Sequence, residues 1–215
     1  MVLSQMTGIF SKRTGCLGVS RKFLNVGGGS RSIPVPGYFD GWTYHLLDID
    51  QRVQPDVLGD ARQLDVLVPP NSYDAIYCSH NIEHYYAHDV PKVLRGFVHA
   101  LKPDGFAEIR CPDLGAVMKE VIAKNLDVED VLYVSPAGPI KVLDVFYGFQ
   151  VEIAQSGLDY FAHKTGFTEK SLRAALTNAG FPIGGIVSRN YELVAYAFRA
   201  PPTNEHRRML NLPRN

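Results

Sequence analysis

Between residues 80 and 84 the chain reads H-N-I-E-H, which puts His80, Glu83 and His84 within five residues. Imidazoles and a carboxylate at that density suit proton transfer: histidine titrates near neutrality, and a nearby carboxylate can orient it or serve as a second base. We read His84 as the leading base, Glu83 as its orienting partner or alternative, and His163 in D-Y-F-A-H-K as a third candidate. The competing structural reading packs His84 and Tyr85 into the protein and leaves His163 beside Lys164 on the surface. Histidines four apart also suit metal binding on a helix, but this segment reads as the exit of a strand and no third ligand is obvious, so no metal is expected.

A second chemical signal is L-N-V-G-G-G-S-R at 24–31, an apolar run that breaks into Gly27, Gly28 and Gly29. Glycines leaving a first strand permit tight dihedrals and close approach of a ligand to the main chain. A phosphate-binding Walker loop requires G-K-[S/T], and here Ser30 and Arg31 follow Gly29. A dinucleotide fingerprint starting at Gly27 meets Ser32 where its third glycine belongs, and Pro34, Pro36 and Gly37 interrupt the helix that should bind pyrophosphate. S-adenosyl-L-methionine carries no phosphate but retains a ribose diol. Asp48, about 20 residues beyond the glycines, is placed to accept from both hydroxyls, with Asp50 in reserve. Asp60 in G-D-A, followed by Ala61, falls where a third strand ends and a carboxylate would meet the adenine amino group.

These groups need a frame, and the chain alternates apolar runs with helix-like stretches as an α/β fold with a mostly parallel sheet does. Strands are expected near 23–27, 43–49, 56–60, 73–79, 106–111, 184–188 and 192–199. The last two are joined by a tight turn, so that pair should be antiparallel. The strongest helix is 89–102, where Val90, Val93, Leu94, Phe97, Val98 and Leu101 form one stripe, Asp89 stands at the N-cap and Pro91 fits the first turn. Helices are also expected at 113–125, where Asp113 reads as a cap more readily than as an acceptor-site group, and at 169–179 between Thr168 and Gly180. Residues 126–167 break the rhythm and read as an insertion over the open sheet edge. Its aromatics Tyr147, Phe149, Tyr160 and Phe161 either pack or wall a ring-binding pocket.

Composition bounds the partners. Twenty-two Lys plus Arg balance 22 Asp plus Glu, so no net charge draws the chain to nucleic acid. Cys16, Cys78 and Cys111 lack metal-ligand spacing and read as reduced thiols of a cytoplasmic protein. No apolar run approaches the roughly 20 residues of a membrane helix. Residues 1–39 hold Lys12, Arg13, Arg21, Lys22 and Arg31 but no acid, which suggests a basic N-terminal arm or lid at 1–22 in preference to a targeting peptide. Residues 201–215 read as a loosely held tail. No heptad or exposed apolar helix demands a homodimer, which stays open.

Taken in order, L-N-V-G-G-G at 24–29, P-G-Y at 36–38, L-D-I-D at 47–50, Y-D-A-I-Y-C-S-H-N-I-E-H at 73–84, L-K-P-D-G at 101–105, I-R-C-P-D-L at 109–114 and F-T-E-K-S-L-R-A-A-L-T-N-A-G-F at 167–181 resemble the class I S-adenosylmethionine-dependent methyltransferases. The nearer resemblance is to a bacterial subgroup with an L-N-(V/L)-G-x-G first strand and a proline-rich loop after it, often encoded among genes for surface-polysaccharide synthesis. The resemblance implies a Rossmann-like, doubly wound, seven-stranded sheet at 23–200, mostly parallel with an antiparallel last strand. It implies Gly27 to Gly29 against the methionine part of the cofactor, Asp48 on the ribose, Asp60 and Ala61 at the adenine, and Ser79 and His80 beside the methionyl amino group and reacting methyl. Arg31 departs from the usual third spaced glycine, and Asn25 from the acid usual in the first strand, although the subgroup shares the Asn.

The expected activity is methyl transfer to a small-molecule or saccharide acceptor, most simply at oxygen. Two rivals stand beside it. One is an NAD-dependent sugar-modifying oxidoreductase, for which Tyr160 and Lys164 have the Tyr-x3-Lys spacing. The other is a non-catalytic scaffold that binds the cofactor without turnover.

Overall fold

The computed structural model describes residues 20–136 and 138–213; Cys16 and most of the expected basic arm lie outside the described residues. In chain order the elements are β1 (Lys22–Val26), β2 (Thr43–Asp48), β3 (Val57–Leu58), α1 (Leu64–Leu67), β4 (Tyr73–Ser79), α2 (Val90–Ala100), β5 (Leu101–Pro112) and α3 (Leu114–Lys124). They continue with β6 (Val131–Ser135), β7 (Gly138–Lys141), α4 (Val142–Tyr147), α5 (Gln150–Ser156), α6 (Glu169–Ala179), β8 (Ile183–Arg189), β9 (Glu192–Phe198) and α7 (Asn204–Met209).

Seven strands form one sheet in the order β3-β2-β1-β4-β5-β9-β8. β1 pairs in parallel with β2 and β4, and β4 pairs in parallel with β5. The last strand, β9, runs antiparallel between β5 and β8, and the tight turn at 190–191 accounts for its pairing with β8. Chain order reverses between β1 and β4, so the crevice for a ligand opens at their carboxyl ends. β1 can be central because Leu24 and Val26 on one face and Phe23 on the other are all buried.

The two faces are covered differently. On one, Val93, Leu94 and Phe97 of α2 are fully buried against Ile76, Ile109 and Leu172, each such side chain contributing roughly 1.5–3 kcal/mol. On the other, a proline-rich loop replaces a long helix. Phe39, in a 3-10 turn after Pro36, stacks on Phe23 with ring centroids 4.1 Å apart and lies over Phe106 at 6.3 Å. α7 finishes this face: Leu210 is buried and the His206 ring meets Phe106 and Phe198 at 5.5 and 5.7 Å. The tail expected to be loose thus includes a docked helix, because Leu210 and the apolar faces of Phe106 and Phe198 cover one another.

Two local expectations need correction. Asp89 occupies the N-cap position of α2 but makes no side-chain cap; its carboxylate pairs with Lys92 at 2.8 Å and Arg62 at 3.1 Å. β5 begins at Leu101, before the K-P-D-G turn signal, and a register shift opposite Tyr73 and Ala75 absorbs the irregularity. Asp113 does cap α3, accepting from the amides of Gly115 and Ala116.

Candidate active site

Two cavities meet at the carboxyl edge of the sheet. The first, about 550 Å³, lies over the ends of β1 and β2 and is walled by Gly27, Gly29, Asp48, Asp60, His80 and Asn81. The second, about 720 Å³, lies between β5, β9 and the insertion, and its wall includes Arg110, Asp144, Arg189 and Glu192. Three residues, His80, His84 and Phe161, line both.

In the first cavity the glycine turn is set by its neighbours as well as by open space. Gly27 has φ +65°, a left-handed conformation, and a Cβ there would run into the Asn81 side chain. Gly29, at φ +64°, faces open space near Ile33. Gly28 differs from the expected placement: it is off the cavity wall, and a Cβ on it would strike the Asn25 amide. Asn25 is buried in β1 and donates to the Tyr44 hydroxyl at 2.8 Å, so the first-strand Asn and the middle glycine form one packing unit. Arg31 turns aside to pair with Asp56 at 2.5 Å.

Asp48 ends β2 inside the crevice. It is 8% exposed, with Oδ2 accepting from the Gly29 amide and Oδ1 from the Asp50 amide, both at 3.0 Å. A carboxylate has about four lone-pair positions, so two remain for a pair of hydroxyls. Asp50 is engaged instead with Arg52 and the Tyr160 hydroxyl, which hold its carboxyl far below the usual range. Ile49, between these acids, is 53% exposed on the cavity wall and offers an apolar face to a planar base. Asp60 lines the cavity while it accepts from the Arg62 amide and guanidinium. Ala61, buried in the 3-10 turn at 61–63, does not reach the wall, and neither does Ser79. Volume, glycines and a ribose-ready carboxylate therefore fit an adenosyl cofactor.

The proton-transfer candidates cluster where the cavities touch. Residues 82–84 form a 3-10 turn after β4. The end of the insertion is pinned to this turn: the amides of Lys164 and Thr165 donate to the Glu83 carbonyl at 2.8 and 3.1 Å. That brings His163 to within 5.1 Å of His84 between ring centroids. One ligating atom from each of Glu83, His84 and His163 lies within 4.8 Å of the others, so the group that joins Glu83 and His84 comes from 79 residues downstream of His84, and His80 of the His-x3-His pattern is not part of the cluster. Sequence spacing could not show it, because only the fold of the insertion supplies it.

Glu83 is 1% exposed, and both its carboxylate oxygens are without hydrogen-bond partners. Burial pushes its pKa up, but the imidazoles of His80, His84 and His163 outweigh burial and lower it. His163 moves down, chiefly from burial. For His80 partial burial acts downward, yet the Glu192 carboxylate at 2.8 Å and Glu83 at 3.4 Å raise it well above the ordinary imidazole value. Tyr160 and Lys164 do not act as a pair: the phenol is tied to Asp50 and Arg52, while the ammonium lies over the Tyr86 ring.

A doubly wound sheet with its antiparallel strand next to last at one edge, a glycine turn after β1 and an acid ending β2 place the chain in the Rossmann-like class. The chain belongs to a methyltransferase family: the family model described as a methyltransferase domain matches residues 10–183. It is an S-adenosyl-L-methionine-dependent methyltransferase, with that compound as its cofactor. No curated protein sequence matches it. Among solved structures it is similar in fold to a SAM-dependent methyltransferase from Archaeoglobus fulgidus, at TM-score 0.50 and 13% identity over 83% of this chain and 86% of that one. A SAM-dependent methyltransferase from Methanosarcina mazei gives TM-score 0.50 and 12% identity over 83% and 92%. PigF with S-adenosylhomocysteine gives TM-score 0.50 and 15% identity over 83% and 50%.

Proposed function

We propose that the enzyme methylates a hydroxyl oxygen of a small-molecule or saccharide acceptor seated in the 720 Å³ cavity. The carrying observation is the wall shared by the two cavities at His80, His84 and Phe161, across which a sulfonium methyl and an acceptor can meet. Transfer is an in-line displacement: the acceptor oxygen bonds the methyl carbon as the carbon–sulfur bond breaks, and sulfur keeps that electron pair as a neutral thioether. Alignment at about 3–3.5 Å supplies much of the acceleration. The hydroxyl proton leaves toward the cluster of His84, Glu83 and His163.

In this reading Gly27 and Gly29 lie under the methionine part of the cofactor, Asp48 grips the ribose, Asp60 approaches the adenine amino group and His80 borders the reacting methyl. The acceptor cavity mixes Arg110 and Arg189 with Asp144, Glu152 and Glu192, a donor and acceptor set suited to a polyhydroxylated ligand. We place the reaction in the cytoplasm, in keeping with the free, buried thiols of Cys78 and Cys111. Among the described residues no helix is long and apolar enough to cross a membrane.

The test is release of S-adenosylhomocysteine from S-adenosylmethionine across a panel of sugars, nucleotide sugars and small phenols. Turnover restricted to hydroxylated acceptors is expected. Binding of the cofactor with turnover on none of the panel would contradict an oxygen acceptor and favour the scaffold.

A further inference from the structure

We infer that Glu83, His84 and His163 form a binding site for one divalent first-row transition cation, set in the wall between the cofactor and acceptor cavities. This deepens the reading above and rests on it for the cation's part in methyl transfer.

Three observations carry the site. First, the geometry: an oxygen and two nitrogens, one from each residue, lie within 4.8 Å of one another. Small side-chain adjustments bring them to the roughly 3–4 Å spacing that metal bonds of 2.0–2.2 Å impose. Second, Glu83 is a buried carboxylate whose two oxygens accept no hydrogen bond; His80 Nδ1 faces Oε1 at 3.4 Å without bonding it, which leaves the buried anion short of donors. Third, both histidines place Nδ1 against a backbone carbonyl, the outer hydrogen bond typical of metal-ligating imidazoles. Nδ1 of His84 contacts the Ala162 carbonyl at 3.1 Å, and Nδ1 of His163 contacts the Val145 carbonyl at 2.8 Å.

At His84, Nε2 also contacts the His80 carbonyl oxygen at 3.2 Å, so a cation bound at that nitrogen takes the place of the proton that otherwise bridges the two. Two imidazoles and one carboxylate leave open coordination positions, the arrangement suited to Fe(II), Mn(II) or related ions. His84 and His163 both line the acceptor cavity, so an open position faces an acceptor oxygen. Bound there, a hydroxyl becomes more acidic: its O–H electron pair stays on the oxygen, the proton passes to water because the ligated side chains no longer serve as its acceptor, and the oxygen then bonds the methyl carbon as sulfur leaves with the carbon–sulfur electron pair.

Manganous ion is the probe. After chelation and desalting, the full chain titrated with Mn2+ should quench the free-ion paramagnetic resonance signal with one equivalent per chain. Electron spin-echo modulation should show nitrogen couplings from two imidazoles. Glu83→Gln and His163→Ala, checked for folding by circular dichroism, should weaken Mn2+ binding about tenfold or more, whereas Glu129→Gln on the surface should not. Should either variant misfold, the wild-type modulation spectrum decides alone. No quenching by wild-type protein, or quenching without nitrogen coupling, overturns the site. Calorimetry with S-adenosylhomocysteine on the same sample separates the two claims: binding of that ligand without Mn2+ removes the cation and leaves the methyltransferase reading intact. Binding of Mn2+ with no affinity for the nucleoside does the reverse.

Discussion

At the scale of single residues, the site is a set of small polar groups whose neighbours leave them little freedom. Gly27 combines a left-handed backbone with contact to Asn81, so a side chain there meets both costs. Gly27→Ala should destabilise the fold by roughly 1–3 kcal/mol and weaken cofactor binding, as read by urea denaturation and calorimetry. Unchanged stability would mean that the turn relaxes freely. His84 touches both cavities yet is anchored through Ala162 and His80, so His84→Ala should leave affinity for S-adenosylhomocysteine little changed and slow turnover about a hundredfold or more. The opposite ordering, with binding lost and turnover per bound cofactor intact, would move His84 out of the chemistry. The acids and glycines of this site were legible in sequence because strand ends and turns demand particular residue types. The pairing of Gly28 with Asn25 was not, because it depends on how a β1 side chain points.

At the scale of elements, periodicity predicted α2, whose apolar stripe is buried, and the Thr168 cap and Gly180 stop bounded α6. It failed at the C-terminus. α7 is six residues long and its anchor is mostly aromatic contact with Phe106 and Phe198, which leaves no helical period to read. This docking carries a pH signature. Burial lowers the His206 pKa below its usual 6.5, so the unfolded chain takes up the proton first as the medium acidifies. The stability this residue contributes is therefore present above about pH 6.5 and is lost as pH falls through that value toward the folded pKa. Melting temperatures measured from pH 7.5 to 5 should drop, and His206→Phe should flatten part of that drop. An identical profile in the variant would show that His206 does not couple to folding.

At the scale of the whole molecule, topology does what local sequence cannot. The reversal between β1 and β4 creates the cofactor crevice, the antiparallel β9 brings Glu192 to His80, and the insertion folds back to deliver His163 to Glu83 and His84. The last two of those meetings join residues 79 or more positions apart, beyond any motif, which explains why the glycines and acids that wall the first cavity stood out in the chain and the groups that meet at the second did so only in outline. The central claim is that Asp48, held by the amides of Gly29 and Asp50, binds the ribose of an adenosyl cofactor in this crevice. Its most direct test is calorimetric titration of S-adenosylhomocysteine into the wild-type chain and Asp48→Ala. The account predicts one equivalent bound by the wild type and about ten- to hundredfold weaker binding by the variant, the loss of charge-assisted hydrogen bonds. Equal affinity in the two proteins, or no binding by a folded wild type that instead binds NAD, would contradict it.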